Sequence, residues 1–170
     1  MASRKVMLLG EIAVGKTSLV RRLVHRRFEH DYKATVGVDL YEYRVEGLGS
    51  SGDGVINLII WDTDGDFGDS IFSHVYCRGA SGAMIIADAS RAETWASLGF
   101  LLQGFETRFP GRPVELLMNK IDLFGDNSMP AFAGELGALA SRLRTTSAKN
   151  GDNVEASFVA LAGQIARRHV

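Results

Sequence analysis

From position 10 the chain reads Gly10-Glu11-Ile12-Ala13-Val14-Gly15-Lys16-Thr17, two glycines with four residues between them, then a lysine and a hydroxyl. That spacing suits a polyphosphate. Backbone N–H groups of the loop, and of the N-terminus of a helix that follows it, can surround a β-phosphate; Lys16 adds a point charge, and the Thr17 hydroxyl can ligate magnesium. The apolar run Val6-Met7-Leu8-Leu9 before the loop reads as a strand, and residues 18–25 after it are helix-compatible. This is the context the motif needs if it is to be more than a glycine-rich turn.

Two further motifs could read a base. Asn119-Lys120-Ile121-Asp122 follows an apolar run, and Ser147-Ala148-Lys149 precedes the last helical pattern. Both fall where strands end, which is where ligands bind in open α/β sheets. A carboxylate at Asp122 can accept hydrogen bonds from the ring N–H and the exocyclic amine of guanine together, a donor pair adenine lacks. A charged group left facing the wrong edge would be unsatisfied, at about 1–3 kcal/mol or more, so discrimination should be strong. The plainer reading of residues 119–122 is an ordinary polar loop.

The elements that must position these residues show in the periodicity. β-prone runs at residues 6–9, 40–45, 55–61, 83–87 and 114–118 alternate with helical patterns, which implies a mostly parallel sheet covered on both faces. Leu19 and Leu23, then Trp95, Leu98, Leu102 and Phe105, then Val154, Phe158, Leu161 and Ile165 recur at the 3.6-residue period of buried helix faces. Residues 47–54, rich in glycine and serine, read as a hairpin loop.

Composition bounds the rest. At 170 residues, 46% hydrophobic and 23% charged, the chain has room for one domain, expected over residues 1–170. A net charge of −1 offers no basic field for a nucleic-acid backbone. The basic stretch Arg21, Arg22, His25, Arg26 and Arg27 suits a phosphate or an anionic lipid, but a solvated helix end is the better reading. The lone Cys77 forms no internal disulfide, and no run reaches the ~20 apolar residues of a membrane span. The tail Ala166-Arg167-Arg168-His169-Val170 has no cysteine to prenylate, so a cytoplasmic monomer without a lipid anchor in this chain is expected, reaching membranes through a partner or a missing tail.

Phosphate loop, Thr35, residues 62–65, residues 119–122 and residues 147–149 stand in the order and spacing of Ras-like small GTPases, and the likeness runs from about Arg4 to the last helix. Tyr32-Lys33-Ala34-Thr35-Val36-Gly37-Val38-Asp39, Trp61-Asp62-Thr63 and Tyr76-Cys77-Arg78-Gly79-Ala80 resemble Rab proteins most closely. The resemblance implies a P-loop NTPase of the α/β class: a Ras-like three-layer domain with a mostly parallel six-stranded sheet and about five helices. It implies GTP or GDP bound with magnesium, nucleotide contacts from Glu11 to Ser18 and from Asn119, Lys120, Asp122, Ser147, Ala148 and Lys149, and Phe28 edge-on to the base. By the same likeness Thr17, Thr35 and Asp62 hold the metal, Asp62 through water, and Gly65 offers its N–H to the γ-phosphate. Lys16, Thr35, Gly65 and Asp66 would serve hydrolysis. Effectors, exchange factors and activating proteins would read two switch segments, one opening at Phe28 and closing at Leu40, the other opening at Asp62 and closing at Arg78.

The second switch departs from the family. Where Ras-like proteins usually read Asp-Thr-Ala-Gly-Gln-Glu, this chain reads Asp62-Thr63-Asp64-Gly65-Asp66-Phe67. Aspartate is shorter than the water-orienting glutamine and, ionised, only accepts hydrogen bonds, so intrinsic hydrolysis should be slow. Asp64 adds a carboxylate near the expected γ-phosphate, and Ile12 stands where the family tends to keep a small residue. His74 reads as helix surface, Cys77 as a small semi-buried filler, and Phe67, Phe72, Trp61 and Tyr76 as either effector surface or core. The competing readings are a nucleotide-holding module with little turnover and a P-loop kinase or ATPase; the base motifs argue against the latter.

Overall fold

A computed structural model of the chain describes residues 2–29, 35–49, 52–63, 77–125 and 132–168. Six strands among these residues form one sheet: β1 (Ala2–Leu9), β2 (Val38–Leu48), β3 (Gly54–Thr63), β4 (Gly82–Asp88), β5 (Val114–Asn119) and β6 (Leu143–Thr145). Their spatial order is β2-β3-β1-β4-β5-β6. Only the edge strand β2 runs antiparallel, pairing Val38 with Thr63 and Asp39 with Asp62 on β3; the other neighbours are parallel.

Alternation along the strands decides which helix covers which face. Val6 and Leu8 of β1 join Met84 and Ile86 of β4 and Leu117 of β5 in one core, with Leu19, Val20 and Leu23 of α1 (Lys16–His25) and Val154, Phe158, Leu161 and Ile165 of α4 (Val154–Arg167). Met7 and Leu9, offset by one residue, point the other way with Ala83, Ile85, Leu116 and Met118, against Trp95, Leu98, Leu102 and Phe105 of α2 (Glu93–Arg108). Because both faces are covered, β4 has to be apolar nearly throughout, and all seven of its residues are buried. Phe105 and Phe158, each at 0% exposure, anchor the two cores and contribute about 2–3 kcal/mol apiece.

This is the α/β fold the resemblance implied, with every helical face read from periodicity buried as expected. Four α-helices fall among the described residues, the fourth being the five-residue α3 (Phe132–Leu136), which gives way at Gly137, φ +50°, to a 3-10 turn over Gly137–Arg142. The helix expected in the second switch falls in residues 64–76, outside the described residues. The hairpin loop is shorter than the glycine content suggests. β2 continues through Gly47 and Leu48, where a register irregularity after Val45 is absorbed by Gly47 at φ +75°.

Helix α1 starts unusually for a surface helix. Its N-cap is Gly15 at φ +100° with no side-chain cap, and its first turn holds no acidic residue. Nothing on the helix itself neutralises the positive end of its dipole or takes up its leading N–H groups, which suits that end to an external anion.

Candidate functional site

The loop between β1 and α1 is defined by where its carbonyls go. Lys16 Nζ donates to Gly10 O at 2.9 Å and Glu11 O at 2.8 Å. Arg91 Nη2 donates to Ile12 O at 2.7 Å, Lys120 Nζ to Ala13 O at 2.7 Å and Asn119 Nδ2 to Val14 O at 3.0 Å, and the N–H of Leu19 meets Gly15 O at 2.9 Å. In a trans peptide the N–H of the next residue points opposite to the carbonyl, and no peptide bond among the described residues is cis. Carbonyls 12 to 14 drawn outward by Arg91, Lys120 and Asn119 therefore turn the N–H groups of Ala13, Val14 and Gly15 the other way, the arrangement that receives a phosphate.

The two motif glycines are steric requirements here. A Cβ on Gly10, φ +150°, would lie 2.3 Å from Ile86 O of β4, and one on Gly15 would lie 2.3 Å from Asn119 Nδ2. The close approaches that seat the loop on β4 and β5 need a residue without a side chain.

Residues 119–122 and 147–149 meet as one unit. Asn119 is 1% exposed at the end of β5. Its Oδ1 accepts from Thr146 Oγ1 and the Ala148 N–H, each at 3.2 Å, while its amide reaches Val14. Ser147 Oγ donates to Asp122 Oδ1 at 2.6 Å and accepts from the Asn150 N–H at 3.0 Å, which fixes the carboxylate that was expected to face a base. Lys149 is exposed, and Phe28 is half-buried against the α1–α4 core. The base motifs and the phosphate loop are bonded to each other before any ligand is considered.

Thr17, Thr35 and Asp62 come together as a knot of hard oxygens at the start of α1. Thr17 Oγ1 donates to Asp62 Oδ2 at 2.6 Å, and the Thr17 and Thr35 hydroxyls lie 2.8 Å apart. Asp62 is fully buried, and its Oδ1 has no hydrogen-bond partner among the described residues. Burial pushes its carboxyl up to about 6, against the opposing pull of the Thr17 hydrogen bond and Lys16. An orphaned buried carboxylate oxygen beside two hydroxyls fits magnesium, which takes few protein oxygens and completes its octahedron with water and phosphate. No cluster of three or more His, Cys, Asp or Glu suited to a metal occurs among the described residues.

Gly65 and Asp66, with Asp64, Phe67, Phe72, His74 and Tyr76, lie outside the described residues. Ile12, which is described, is 46% exposed at the loop's outer rim. Trp61 is half-buried with Lys5 Nζ 3.4 Å above its ring, and Cys77 is buried.

The reading of the basic stretch as a solvated helix end holds for the exposed His25 and Arg26 and fails for Arg22. Arg27 is exposed, but Arg22 Nε donates to Ala148 O at 2.7 Å and its other end to Lys149 O, so Arg22 holds the base-side loop. Asp88, Arg91 and Ser97 were not singled out by any motif. Ser97 Oγ donates to the Glu11 carboxylate, Arg91 grips Ile12 O, and Asp88 supports Arg91 and Lys120. One signal was available: a charged residue closing an apolar run stands at the ligand-facing edge of a parallel sheet.

Comparison with known proteins agrees with this geometry. The Ras family model matches residues 5–167. The chain is 33% identical to Ras-related protein Rab7 of Gossypium hirsutum, covering 95% of this chain and 84% of that one. It is 32% identical to the Ypt/Rab-type GTPase ypt7 of Schizosaccharomyces pombe, over 93% of this chain and 80% of that one. It is also 32% identical to Ras-related protein RABG3c of Arabidopsis thaliana, over 95% and 84%. A glycine-framed loop, an oxygen knot at the helix it opens and the two polar motifs bonded to that loop are thus found in a chain that belongs to the Ras family, as a Rab-type small GTPase.

Proposed function

We propose that this protein binds GTP and GDP with magnesium and acts as a nucleotide-dependent switch for protein partners in vesicle-type trafficking, hydrolysing GTP slowly. The observation that carries the reading is the continuous bonding of phosphate loop to base motifs, Val14 O to Asn119 and Ala13 O to Lys120. In this reading the N–H groups of residues 13 to 15 and Lys16 hold phosphates, and Asp122, held by Ser147, accepts from the guanine edge. Thr17, Thr35 and Asp62 hold the metal, which when bound neutralises phosphate charge. Phe28, Ser18, Ala148 and Lys149 complete the nucleotide's surroundings, with Gly65 at the γ-phosphate.

Slow turnover rests on Asp66 standing where a glutamine would orient water, with Asp64 adding repulsion of about 4 kcal/mol for unit charges ~4 Å apart at an effective dielectric of 20. The same residue supports a second reading, a module that holds nucleotide and scarcely turns it over. The protein works as a cytoplasmic monomer of one domain, reaching membranes through a partner or a lipidated tail; no helix among the described residues is long and apolar enough to cross one. Effectors, exchange factors and activating proteins meet it through the two switches, on the first of which Val36 and Leu40 are 89% and 59% exposed.

Denaturing the purified protein and separating the released nucleotide by chromatography tests binding: guanine nucleotide is expected, and adenine nucleotide would refute the base assignment. Single-turnover hydrolysis tests the rest. The Asp64→Ala, Asp66→Gln double variant should release phosphate faster than the parent, and no acceleration would show that the missing glutamine does not limit the chemistry. Repeated turnover at an ordinary rate would dismiss the holding-module reading.

A further inference from the structure

Adjacent carbonyls of the phosphate loop are gripped by two cations that share one buried anchor. Lys120 Nζ, donor to Ala13 O, lies 2.6 Å from Asp88 Oδ2. Arg91 Nε lies 3.1 Å from the same oxygen, and its Nη2 is the donor to Ile12 O at 2.7 Å. Asp88 Oδ1 accepts from the Ser90 N–H at 2.9 Å and from Ser90 Oγ at 2.6 Å.

Asp88 itself is buried and tied at its backbone. It is 1% exposed at the end of β4, its N–H meets Thr94 Oγ1 at 3.0 Å, and its carbonyl accepts from Trp95 Nε1 at 2.8 Å. Burial alone would raise its pKa, yet the hydrogen bonds from Lys120 and Ser90 win and hold the carboxyl below its ordinary range. Stability is a poor reason to keep such an arrangement, since a buried ion pair is often replaced by apolar packing without loss. Geometry is a better one: the carboxylate fixes where both cations stand, and they fix which way the carbonyls of Ile12 and Ala13 face. Arginine suits position 91 because its rigid fork serves Asp88 with one nitrogen and Ile12 with another.

We propose that Asp88 and Arg91 are positioning residues for nucleotide binding: anchored on Asp88, Arg91 and Lys120 turn the carbonyls of Ile12 and Ala13 outward, and so aim the next two N–H groups at the phosphates. The inference rests on the reading that this loop holds the phosphates of a guanine nucleotide. Asp88 acts through Arg91 and Lys120, and Ser97 of α2, donating to the Glu11 carboxylate, steadies the neighbouring residue of the loop.

The test is release of a fluorescent GDP from the full chain, chased with excess GDP in magnesium. Arg91→Gln should speed release by about tenfold, the effect of one net hydrogen bond; Arg91→Lys should recover part of it, and Asp88→Asn should exceed it. Because the effects run through one anchor, Asp88→Asn with Arg91→Gln together should release no faster than Asp88→Asn alone, within about twofold. Amide hydrogen exchange in residues 12–15 should rise in Arg91→Gln while that of α4 stays unchanged, which general destabilisation would not produce. If Asp88→Asn does not fold, the two Arg91 variants at a partly exposed site carry the test. Release at the parental rate from Arg91→Gln, exchange rising equally in α4, or effects that multiply in the double variant would each overturn the proposal. A parent chain that retains no GDP would instead bring down the nucleotide reading beneath it.

Discussion

The side-chain amide of Asn119 donates to the carbonyl of Val14 at 3.0 Å, and this bond exists only because Gly15 lacks a side chain, whose Cβ would lie 2.3 Å from the amide nitrogen. Gly15→Ala should therefore act on two motifs at once. It adds strain at φ +100°, about 1 kcal/mol, and breaks a buried hydrogen bond worth roughly another. Thermal unfolding should fall by several degrees, about the shift 2 kcal/mol gives a chain of this size. Calorimetric GDP affinity should fall with it; an unchanged affinity would mean that the Asn119 tie does not shape the loop.

Ser147→Ala isolates the base end. The hydroxyl holds Asp122 Oδ1 at 2.6 Å and takes the Asn150 N–H, and Ser147 is 0% exposed. Losing it should weaken GDP binding by about 5- to 10-fold, the equivalent of about 1–1.5 kcal/mol, while preference for GDP over ADP persists because the carboxylate remains. Titration calorimetry with both nucleotides checks this, and a collapse of the preference would assign Ser147 a direct role.

Asp62→Asn addresses the metal. The carboxylate is buried with one oxygen orphaned and the other bonded to Thr17. Removing its charge should make GDP release in magnesium roughly 10- to 150-fold faster, corresponding to ~1.5–3 kcal/mol for a bond to a charged group. Adding a chelator should then accelerate release in the parent but scarcely in the variant. Equal chelator responses would remove Asp62 from the metal site.

Alkaline pH should loosen the tie between β2 and α4. Tyr43 donates to Glu155 Oε1 at 2.7 Å, and Arg26 pairs with the other oxygen of that carboxylate at 3.2 Å. Burial first, and Glu155 second, push the phenol up to about 12. A pKa raised on folding means that the folded chain keeps the proton better. The stability this group contributes is thus full below pH 10 and is lost as pH rises towards 12. Urea midpoints of the parent should decline across that interval more than those of Tyr43→Phe; parallel declines would show that Tyr43 is not the group responsible.

What the chain revealed in advance follows from how local each signal is. The phosphate loop and residues 119–122 are contiguous, so their chemistry reads off one line of sequence, and α1, α2 and α4 announce their buried faces through period 3.6. β6 did not announce itself: three residues pairing only with β5 carry no alternation to detect. Asp88 could be placed at the sheet's ligand-facing edge, but its joint role with Arg91 was hidden for another reason. Their partners lie at Lys120 and Ile12, joined only when β1, β4 and β5 lie side by side, and no spacing along one strand encodes that meeting. Arg22 sat on an amphipathic helix pattern that its long side chain escapes by reaching Ala148.

The antiparallel rungs joining Val38 to Thr63 and Asp39 to Asp62 place the departure of one switch and the arrival of the other on the same pair of strands. Thr35 precedes the first rung by three residues, and residue 64 follows it directly. Parting those rungs would loosen the β2 side alone, because Asp62 stays paired with Leu8 of β1 and Thr63 Oγ1 donates to Leu8 O at 2.7 Å. Following both segments therefore takes a reporter on each strand, one anchored by β1 and the other held at the sheet's edge by β3 alone.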